Sequence, residues 1–455
     1  MRKFILLCLL FSGIVASLSA QDKYWTLEEC INHAVDNNIM IKQQELQTRL
    51  QENNLEQSKF ELLPSLNGSA TNNWSFGRAL DETTYQFTEE ERVRSNSFYA
   101  SAGLTLFSGL QNYNTIKRNS YNVDASFEDL QNIKDDISLN VALAYLQILL
   151  NKELVSVTAN QLQTTREQIN KTSKMVEAGS LPKGNLLEVQ AQAAREELQL
   201  INMQNQLDLS YLNIIQLLEL ESAEGFEIIV PDLNVDEAGI VTEGVNDIYN
   251  TASRIRPEVK SAELRLKSAE YDLKIAKGGR SPRLNMNTSF NTGFSSIRQK
   301  ILNVDPVEGI EYGEYPFSEQ VNDNISYGIG LNLSIPIFNG WQVNTAISNS
   351  KINIRNNQYS LENTKKQLYK DIQQAYADAQ ASLKSYHASM KAVESMQEAF
   401  RYTEQKFNVG MLTPVEYNTS KAQLLNAESE LAQAKYEYVF KIKVLDFYRG
   451  LPLNL

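Results

Sequence analysis

Apolar side chains recur every seven residues through two very long stretches of this chain, and this repeat limits the folds open to it. The first stretch carries Val141, Ile148, Val155, Leu162, Ile169 and Val176, and the second carries Ile372, Ala379, Tyr386, Val393, Phe400 and Phe407. A period of seven predicts helices that supercoil in pairs. A helix over the roughly 70 residues from Phe107 to Gly179 would extend on the order of 100 Å, which is too long for a compact globule.

The two helical stretches belong to an internal duplication of nearly the whole chain. Leu63-Pro64-Ser65-Leu66 aligns with Ser281-Pro282-Arg283-Leu284, and Leu106-Phe107-Ser108-Gly109 aligns with Ile337-Phe338-Asn339-Gly340. The predicted repeats are residues 21–222 and 245–450, joined by an acidic linker at residues 223–244 and followed by a tail at residues 451–455. We therefore expect two copies of one elongated unit, neither of which is a globule with its own core.

Residues 1–20 have the pattern of a secretory signal peptide. Arg2 and Lys3 precede an apolar run from Phe4 to Val15, and small residues lead up to Ala20. After this segment no apolar run approaches the ~18 residues that a membrane-spanning helix needs. We expect an exported protein without a spanning helix, which leaves a soluble protein, a surface-attached protein or a membrane β-barrel.

Each repeat also contains two short segments in which apolar residues alternate with small polar ones. The predicted strands are residues 66–76, 97–107, 284–294 and 326–337. In the last segment Tyr327, Ile329, Leu331, Leu333, Ile335 and Ile337 share one face. Each segment has about ten residues, the length of a tilted transmembrane β-strand. A half-buried sheet of a soluble sandwich is the alternative, but its exposed face would usually carry Lys and Glu.

Aromatic residues cluster at the ends of these segments, as an interfacial belt requires. The predicted belt consists of Trp74, Phe76, Phe107, Phe338 and Trp341. Four strands cannot close a membrane barrel, because an open strand edge in lipid is prohibitive. Three chains would supply twelve strands, enough for an open lumen, whereas two would supply eight and a filled interior. The sequence predicts a mostly α-helical chain whose four β-strands complete a twelve-stranded barrel in a homotrimer, continued by a long α-helical barrel.

These features together resemble the TolC-like outer-membrane efflux proteins. The likeness covers essentially the whole chain after the signal segment and rests on the duplication, the Leu63-Pro64-Ser65-Leu66 segment, the Phe-Ser-Gly and Phe-Asn-Gly junctions, and the hairpin glycines. The resemblance implies a trimeric channel in the outer membrane of a Gram-negative bacterium, with a long periplasmic extension. It also implies docking to a periplasmic adaptor (membrane fusion) protein and to an inner-membrane efflux pump or exporter, in drug efflux or in type I secretion.

The resemblance further implies that the turns of the two helical hairpins contact the adaptor. In the family this turn carries a Val-Gly-Leu-like motif, which Val409, Gly410, Met411 and Leu412 match closely. The first turn, Ala178, Gly179, Ser180 and Leu181, matches less well. Read from the residues alone, the two glycines need supply only the positive φ angle of a tight turn.

Acidic residues after the second turn line the periplasmic entrance in this family. Glu416 matches such a position, while Thr419 stands where a second acidic residue is expected and Glu188 holds the equivalent place in the first repeat. A ring of carboxylates from three chains would select cations. The alternative is that each glutamate is only a solvated residue on a helix face.

Composition argues against several other functions. The chain has 2 His and 2 Cys and a formal charge of −12, so it offers little for metal ligation or acid-base catalysis and no basic patch for nucleic acid. No dinucleotide-binding, Walker or Gly-x-Ser-x-Gly motif is present. We expect neither enzymatic activity nor a cofactor. The competing interpretation is an exported coiled-coil structural protein or adhesin without a pore.

Overall fold

The computed structural model describes residues 23–81, 83–87, 91–231, 243–306 and 308–453. The predicted signal peptide and residues 232–242 of the predicted linker lie outside these ranges. The helices are α1 Leu27–Asn37, α2 Ile39–Phe60, α3 Gln111–Glu177, α4 Lys183–Leu217, α5 Val245–Ile255, α6 Pro257–Gly278, α7 Phe317–Asp323, α8 Gln342–Asn408 and α9 Pro414–Arg449. The strands are β1 Lys23–Trp25, β2 Ser65–Gly77, β3 Glu91–Phe107, β4 Phe226–Ile228, β5 Arg283–Ser295, β6 Gln299–Asp305, β7 Gly309–Glu314 and β8 Ser326–Ser334.

The chain divides into two compact units, and each unit takes segments from both predicted repeats. The first unit comprises Met1–Gln47, Phe127–Ser261 and Glu362–Leu455, and the second comprises Thr48–Ser126 and Ala262–Leu361. Helices α3 and α8 each run without a break for 67 residues. The boundaries of the compact units therefore do not coincide with those of the sequence repeats, because each unit combines segments of both repeats.

The core of the first unit forms where α1, α3 and α4 meet around a short parallel pair of β1 and β4. Val141, Ile148 and Ile214 are fully buried there, in agreement with the seven-residue pattern. The hydroxyl of Tyr145 donates to the Ile229 carbonyl at 2.6 Å, which fixes the chain just after β4. Cys30 is also fully buried in this core. Burial of these side chains is the main stabilising contribution in the unit.

A four-stranded antiparallel sheet dominates the second unit, in the order β2-β3-β5-β8. In β2–β3, Ser65 pairs with Gly103, and in β5–β8, Arg283 pairs with Ser334. The strands β2 and β8 form the two edges of the sheet, and every residue of β8 is exposed. The sheet therefore ends on both sides in strands that have no partner among the described residues.

One face of the sheet is apolar and the other is polar, as the alternation predicts. The apolar face contains Leu284, Met286, Tyr327, Ile329, Leu331 and Leu333, together with Ala100, Ala102 and Leu104 of β3. The polar face holds mainly Asn, Ser, Thr and Gly, together with Val93, Tyr99 and Arg283. The apolar residues of β8 remain 60–82% exposed, although water is a poor environment for them.

The structure departs from the sequence prediction at several strand ends. Strand β3 begins at Glu91, earlier than residue 97, and β8 ends at Ser334, earlier than residue 337. Pro336 lies in this shortened end and has no backbone N–H to donate to a ladder. A bulge between Thr105 and Phe107 places Phe107, instead of Leu106, opposite Leu284 on the apolar face.

Residues 297–325, which separate two of the predicted strands, contain regular structure. The hairpin β6–β7 and the helix α7 occupy most of this segment. The Gln320 side chain, 1% exposed, accepts a hydrogen bond from the Ser295 backbone N–H at 3.0 Å and donates to the carbonyls of Ser295 and Tyr315. These bonds attach α7 to the end of β5.

Within the described residues, one helix is long and apolar enough to cross a membrane by length and composition. It is α3, and half of its most apolar 18-residue window is buried in the protein. Tyr145, Ile148 and Leu149 lie in this part of α3 and belong to the core of the first unit. Because core helices also meet this criterion, the hydropathy of α3 is weak evidence for a spanning segment.

Candidate functional site

Both hairpin turns end their first helix in the same left-handed conformation. Gly179 has φ +72° and Gly410 has φ +75°. The Ser180 N–H donates to the Met175 carbonyl at 2.9 Å, and the Met411 N–H donates to Lys406 at 2.9 Å. With the bonds from each glycine N–H to Val176 and Phe407, these contacts form Schellman motifs.

The side chains of the second turn project into open space. Val409 is 70% exposed and Met411 is 75% exposed, and no atom lies within 4 Å of where a Cβ on Gly410 would sit. In the first turn Ala178, Gly179 and Ser180 are also exposed, and Leu181 is half-buried. The second turn is therefore the more apolar of the two surfaces, as its sequence indicates.

Glu416 is bound locally as part of a helix cap. Its carboxylate accepts the backbone N–H of Thr413 at 2.8 Å and the Thr413 hydroxyl at 2.8 Å, while the Glu416 N–H donates to that hydroxyl. This is a capping box at the start of α9, with Pro414 in the first turn. The hydrogen bonds from Thr413 lower the pKa of Glu416 below its usual value.

Glu188 has a different setting from Glu416. It lies exposed in the second turn of α4, whose N-cap residue, Pro182, makes no side-chain cap. The structure therefore holds both predicted acidic residues at the start of the second helix of a hairpin, but only Glu416 takes part in a cap.

Aromatic packing holds the second hairpin together just behind its turn. The rings of Phe407 and Tyr417 stack with centroids 4.6 Å apart, and the Phe400 ring lies tilted against Tyr417 with centroids 5.4 Å apart. Tyr417 is 3% exposed, and this burial raises its pKa to about 12. Packing between aromatic side chains of α8 and α9 therefore holds the two helices together next to the exposed turn.

A buried polar network joins three helices near the turns, and the sequence patterns did not reveal it. The Lys421 ammonium donates to the Thr165 hydroxyl at 2.6 Å and to the Gln161 carbonyl at 3.0 Å, and the Thr165 hydroxyl in turn donates to Glu196. Lys421 is 3% exposed and Glu196 is 2% exposed. Burial lowers the pKa of Lys421, and the nearby carboxylates of Glu196 and Glu404 act in the opposite direction.

The predicted aromatic belt residues are exposed and fall into two groups. Trp74 and Phe76 lie at the end of β2 farthest from the long helices, 45% and 77% exposed. Phe107, Phe338 and Trp341 lie where the strands lead into α3 and α8, and they are 44%, 81% and 65% exposed. The two groups border the apolar face of the sheet at its two ends.

The described residues contain no cluster of three or more His, Cys, Asp or Glu side chains that would suit a metal ion. Paired charges are instead scattered along the helices, as in the Arg256 to Asp135 pair at 3.1 Å. The distinctive surfaces are therefore the apolar sheet face, the hairpin turns and the residues next to them.

Comparison with known proteins gives a consistent family assignment. The model of the outer membrane efflux protein family matches twice, over residues 30–219 and 248–445. The chain is 22% identical to the outer membrane protein TolC of Vibrio cholerae over 443 residues, which cover 96% of this chain and 93% of that protein. It is also 22% identical to TolC of Escherichia coli over 309 residues, or 68% of this chain, but that match spans only 60% of the relative.

A solved structure supports the same fold. The channel protein CusC superposes with a TM-score of 0.78 at 17% identity, and the match covers 94% of this chain and 92% of that one. At this identity the likeness establishes the fold alone. The double family match, by contrast, covers most of the sequence. The chain therefore belongs to the family of outer membrane efflux proteins.

Proposed function

We propose that the protein is a passive channel that conducts solutes out of the periplasm across the outer membrane. The observation that carries this proposal is the sheet of the second unit, whose apolar face is exposed and whose two edge strands each lack a partner on one side among the described residues. Lipid would bury the apolar face, and only closure into a barrel satisfies the edges inside a membrane. The energy for transport comes from a partner in the inner membrane.

Closure requires three chains and twelve strands. The duplication supports this arrangement, because the pairing of β2 with β3 is repeated residue for residue in the pairing of β5 with β8. The two strand-to-helix junctions also match, with positive φ at Gly109 and Leu110 and again at Gly340 and Trp341. Two equivalent strand pairs per chain make a ring of six equivalent pairs in a homotrimer.

The same equivalence predicts the register between neighbouring chains. Strand β3 pairs with β5 inside one chain, so its counterpart β8 is expected to pair with β2 of the next chain. Ser101 lies opposite Ser289. Their counterparts in the other repeat are Asn332 and Thr71, which we therefore place opposite each other across the boundary between chains.

We assign the long helices to a periplasmic tunnel whose far end carries the two hairpin turns. The exposed Val409 and Met411 suit an apolar contact with a helical adaptor protein, since the turn is rigid behind them and open in front. Ala178, Gly179, Ser180 and Leu181 are assigned to the same contact. The adaptor would in turn connect the channel to an inner-membrane pump or exporter.

Glu416 and Glu188 are proposed to face the periplasmic entrance. The lowered pKa of Glu416 keeps its carboxylate charged through the neutral range, as an ion-selective ring requires.

Reconstitution in planar lipid bilayers tests the channel. We expect discrete conductance steps of uniform size from trimers that need detergent for extraction. The alternative, a coiled-coil rod or adhesin without a pore, predicts no conductance and extraction by high salt. Finding both of these would overturn the proposed function.

A further inference from the structure

Two arginines at the outer end of the sheet share one aromatic ring. The guanidinium carbon of Arg92 lies 4.5 Å from the centre of the Trp74 ring, and that of Arg94 lies 5.5 Å from it. Arg94 is directly opposite Trp74 across β2–β3, and Arg92 is opposite Phe76. Since directly paired residues point to the same side of a sheet, all four side chains lie on one face.

That face is the apolar one. Counting forward in steps of two along β3 from Arg94 leads through Asn96 to Phe98, Ala100, Ala102 and Leu104, which line the apolar face. The segment of β2 from Leu66 to Trp74 has nine residues, ends included, which is about the length of a strand that crosses the hydrocarbon of a bilayer. The two arginines therefore stand on the lipid side, just beyond the apolar band and at the level of lipid headgroups.

Neither arginine is paired with a carboxylate whose side chain the structure describes. No described carboxylate makes an ion pair with Arg92 or Arg94, and both side chains are exposed. Two other cations of the same unit do have an ion-pair partner, Arg118 with Asp272 at 3.3 Å and Lys300 with Glu319 at 2.5 Å. Two guanidinium groups over one ring repel each other, and a doubly charged anion that accepts hydrogen bonds from both would relieve this repulsion.

We propose that Arg92 and Arg94, oriented by Trp74, bind the phosphorylated headgroup of a lipid in the outer leaflet of the outer membrane. The guanidinium groups hold the phosphate, and the acyl chains lie on the apolar face below it, against residues such as Phe98 and Ala70. The inference rests on the proposed function, because it uses the membrane orientation of the barrel.

The surroundings favour a lipid over a free phosphate ion. The arginines lie on an open surface, beside Phe76 at 77% exposure and Trp74 at 45% exposure. A free anion would remain hydrated there and would make no use of the aromatic side chains. A lipid adds burial of its hydrocarbon on the same face, at about 0.8 kcal/mol for each CH₂ group removed from water.

Native mass spectrometry of the full chain, purified in detergent, tests this site. The probes are doubly phosphorylated lipid A, the same lipid after enzymatic removal of its phosphates, and inorganic phosphate. The test variant is Arg92→Gln with Arg94→Gln. The matched control is Lys300→Gln with Lys351→Gln, which removes the same charge from the second unit away from Trp74.

We expect the arginine variant to bind phosphorylated lipid A about tenfold or more weakly, because it loses two charge-assisted hydrogen-bonding groups. The control is expected to bind like the unmodified protein, which should itself bind the dephosphorylated lipid about tenfold or more weakly. The proposal would be overturned if the arginine variant bound phosphorylated lipid A as tightly as the unmodified protein does. It would also be overturned if the unmodified protein bound both lipids equally well, or if millimolar inorganic phosphate displaced the lipid.

Conductance separates this inference from the proposed function. We expect the arginine variant to form channels of unchanged conductance, so that a loss of lipid binding cannot be attributed to misfolding. If the unmodified protein forms no channels, the proposed function has failed. If it forms channels but does not distinguish the two lipids, only the lipid site is wrong.

Discussion

At the scale of single residues, the charge of Glu416 and its role in the helix cap are separable. The carboxylate accepts two hydrogen bonds from Thr413, and a glutamine amide oxygen accepts the same bonds without the charge. Thr413-Pro414-Val415-Glu416 has the spacing of a capping box, so the sequence alone contained the signal for this cap. The cap does not exclude an entrance role, since the side chain is exposed.

We therefore expect Glu416→Gln to reduce cation selectivity while it leaves the hairpin stable. Thr413→Ala should leave cation selectivity unchanged but destabilise the hairpin. It removes the helix cap, at a cost of about 1 kcal/mol at the start of the helix. The measurements are the reversal potential in a salt gradient and hydrogen exchange of the first turn of α9. Unchanged selectivity in both Glu416→Gln and Glu188→Gln would contradict the carboxylate ring.

The pH dependence of this cap follows from the lowered pKa of Glu416. The folded-state pKa lies below the usual value of 4.5, so the negative charge adds its full share to the stability of the cap above pH 4.5. The contribution is lost as the pH falls through the lowered pKa. In Glu416→Gln, hydrogen exchange of the same turn should lack this pH dependence.

The buried network around Lys421 gives a second prediction at this scale. Glu196→Gln removes the charge that faces a buried ammonium group, and breaking a buried pair of this kind costs about 3–5 kcal/mol. The neighbouring Glu197, which pairs with Arg166 at the surface at 3.4 Å, provides the matched control. Glu197→Gln should cost about 0–1 kcal/mol.

Hydrogen exchange of α4 and α9 in the intact protein measures both effects. If Lys421→Met restores the protection that Glu196→Gln removes, the two charges are coupled through Thr165. Equal effects of Glu196→Gln and Glu197→Gln would show that the network adds no stability of its own.

At the scale of elements, the two faces of β8 allow a sharp test of membrane insertion. Leu331 and Asn332 are adjacent and both exposed, but they point to opposite faces of the sheet. Leu331→Arg places a charge in lipid, at a cost of about 2–4 kcal/mol near the bilayer centre, and should lower the yield of inserted trimer. In the proposed barrel Asn332→Arg would face the lumen, so this variant should insert normally with altered conductance. A soluble sheet would tolerate both changes.

The sequence predicted the long helices and the main strands because their patterns are local. Period seven and period two each recur over many residues, so burial of a single face determines the element. The pairing of β1 with β4 was missed, since each strand has three residues and Trp25 pairs with Ile228 across some two hundred positions. The bonds between Lys421 and Thr165 depend in the same way on distant segments.

The hairpin β6–β7 and the helix α7 were missed for another reason. Their apolar residues serve short-range packing, as where Phe317 contacts Phe294 with ring centroids 5.2 Å apart. Such contacts leave no periodic pattern in a segment this short. No regular element is therefore predicted between the strands at residues 284–294 and 326–337.

At the scale of the whole molecule, the predicted register between chains can be tested by disulfide formation. Asn332→Cys combined with Thr71→Cys should give covalently linked trimers on oxidation, because the two residues are expected to lie opposite each other on the polar face. Asn332→Cys combined with Ser75→Cys is the control, since four residues along a strand amount to about 13 Å. Denaturing gel electrophoresis without reductant reads out the result. Linkage in the control pair alone would refute this register.

The unpaired edges of the sheet also have a consequence for the life of a newly made chain. Until it assembles with other copies, each exported polypeptide exposes strand edges with free hydrogen-bonding groups and an apolar sheet face to water, and both features favour aggregation. Its lifetime in that state should be short unless a chaperone shields it. In the proposed trimer the edges are paired only when three copies meet, so the yield of mature protein should rise more steeply than in proportion to the rate of synthesis.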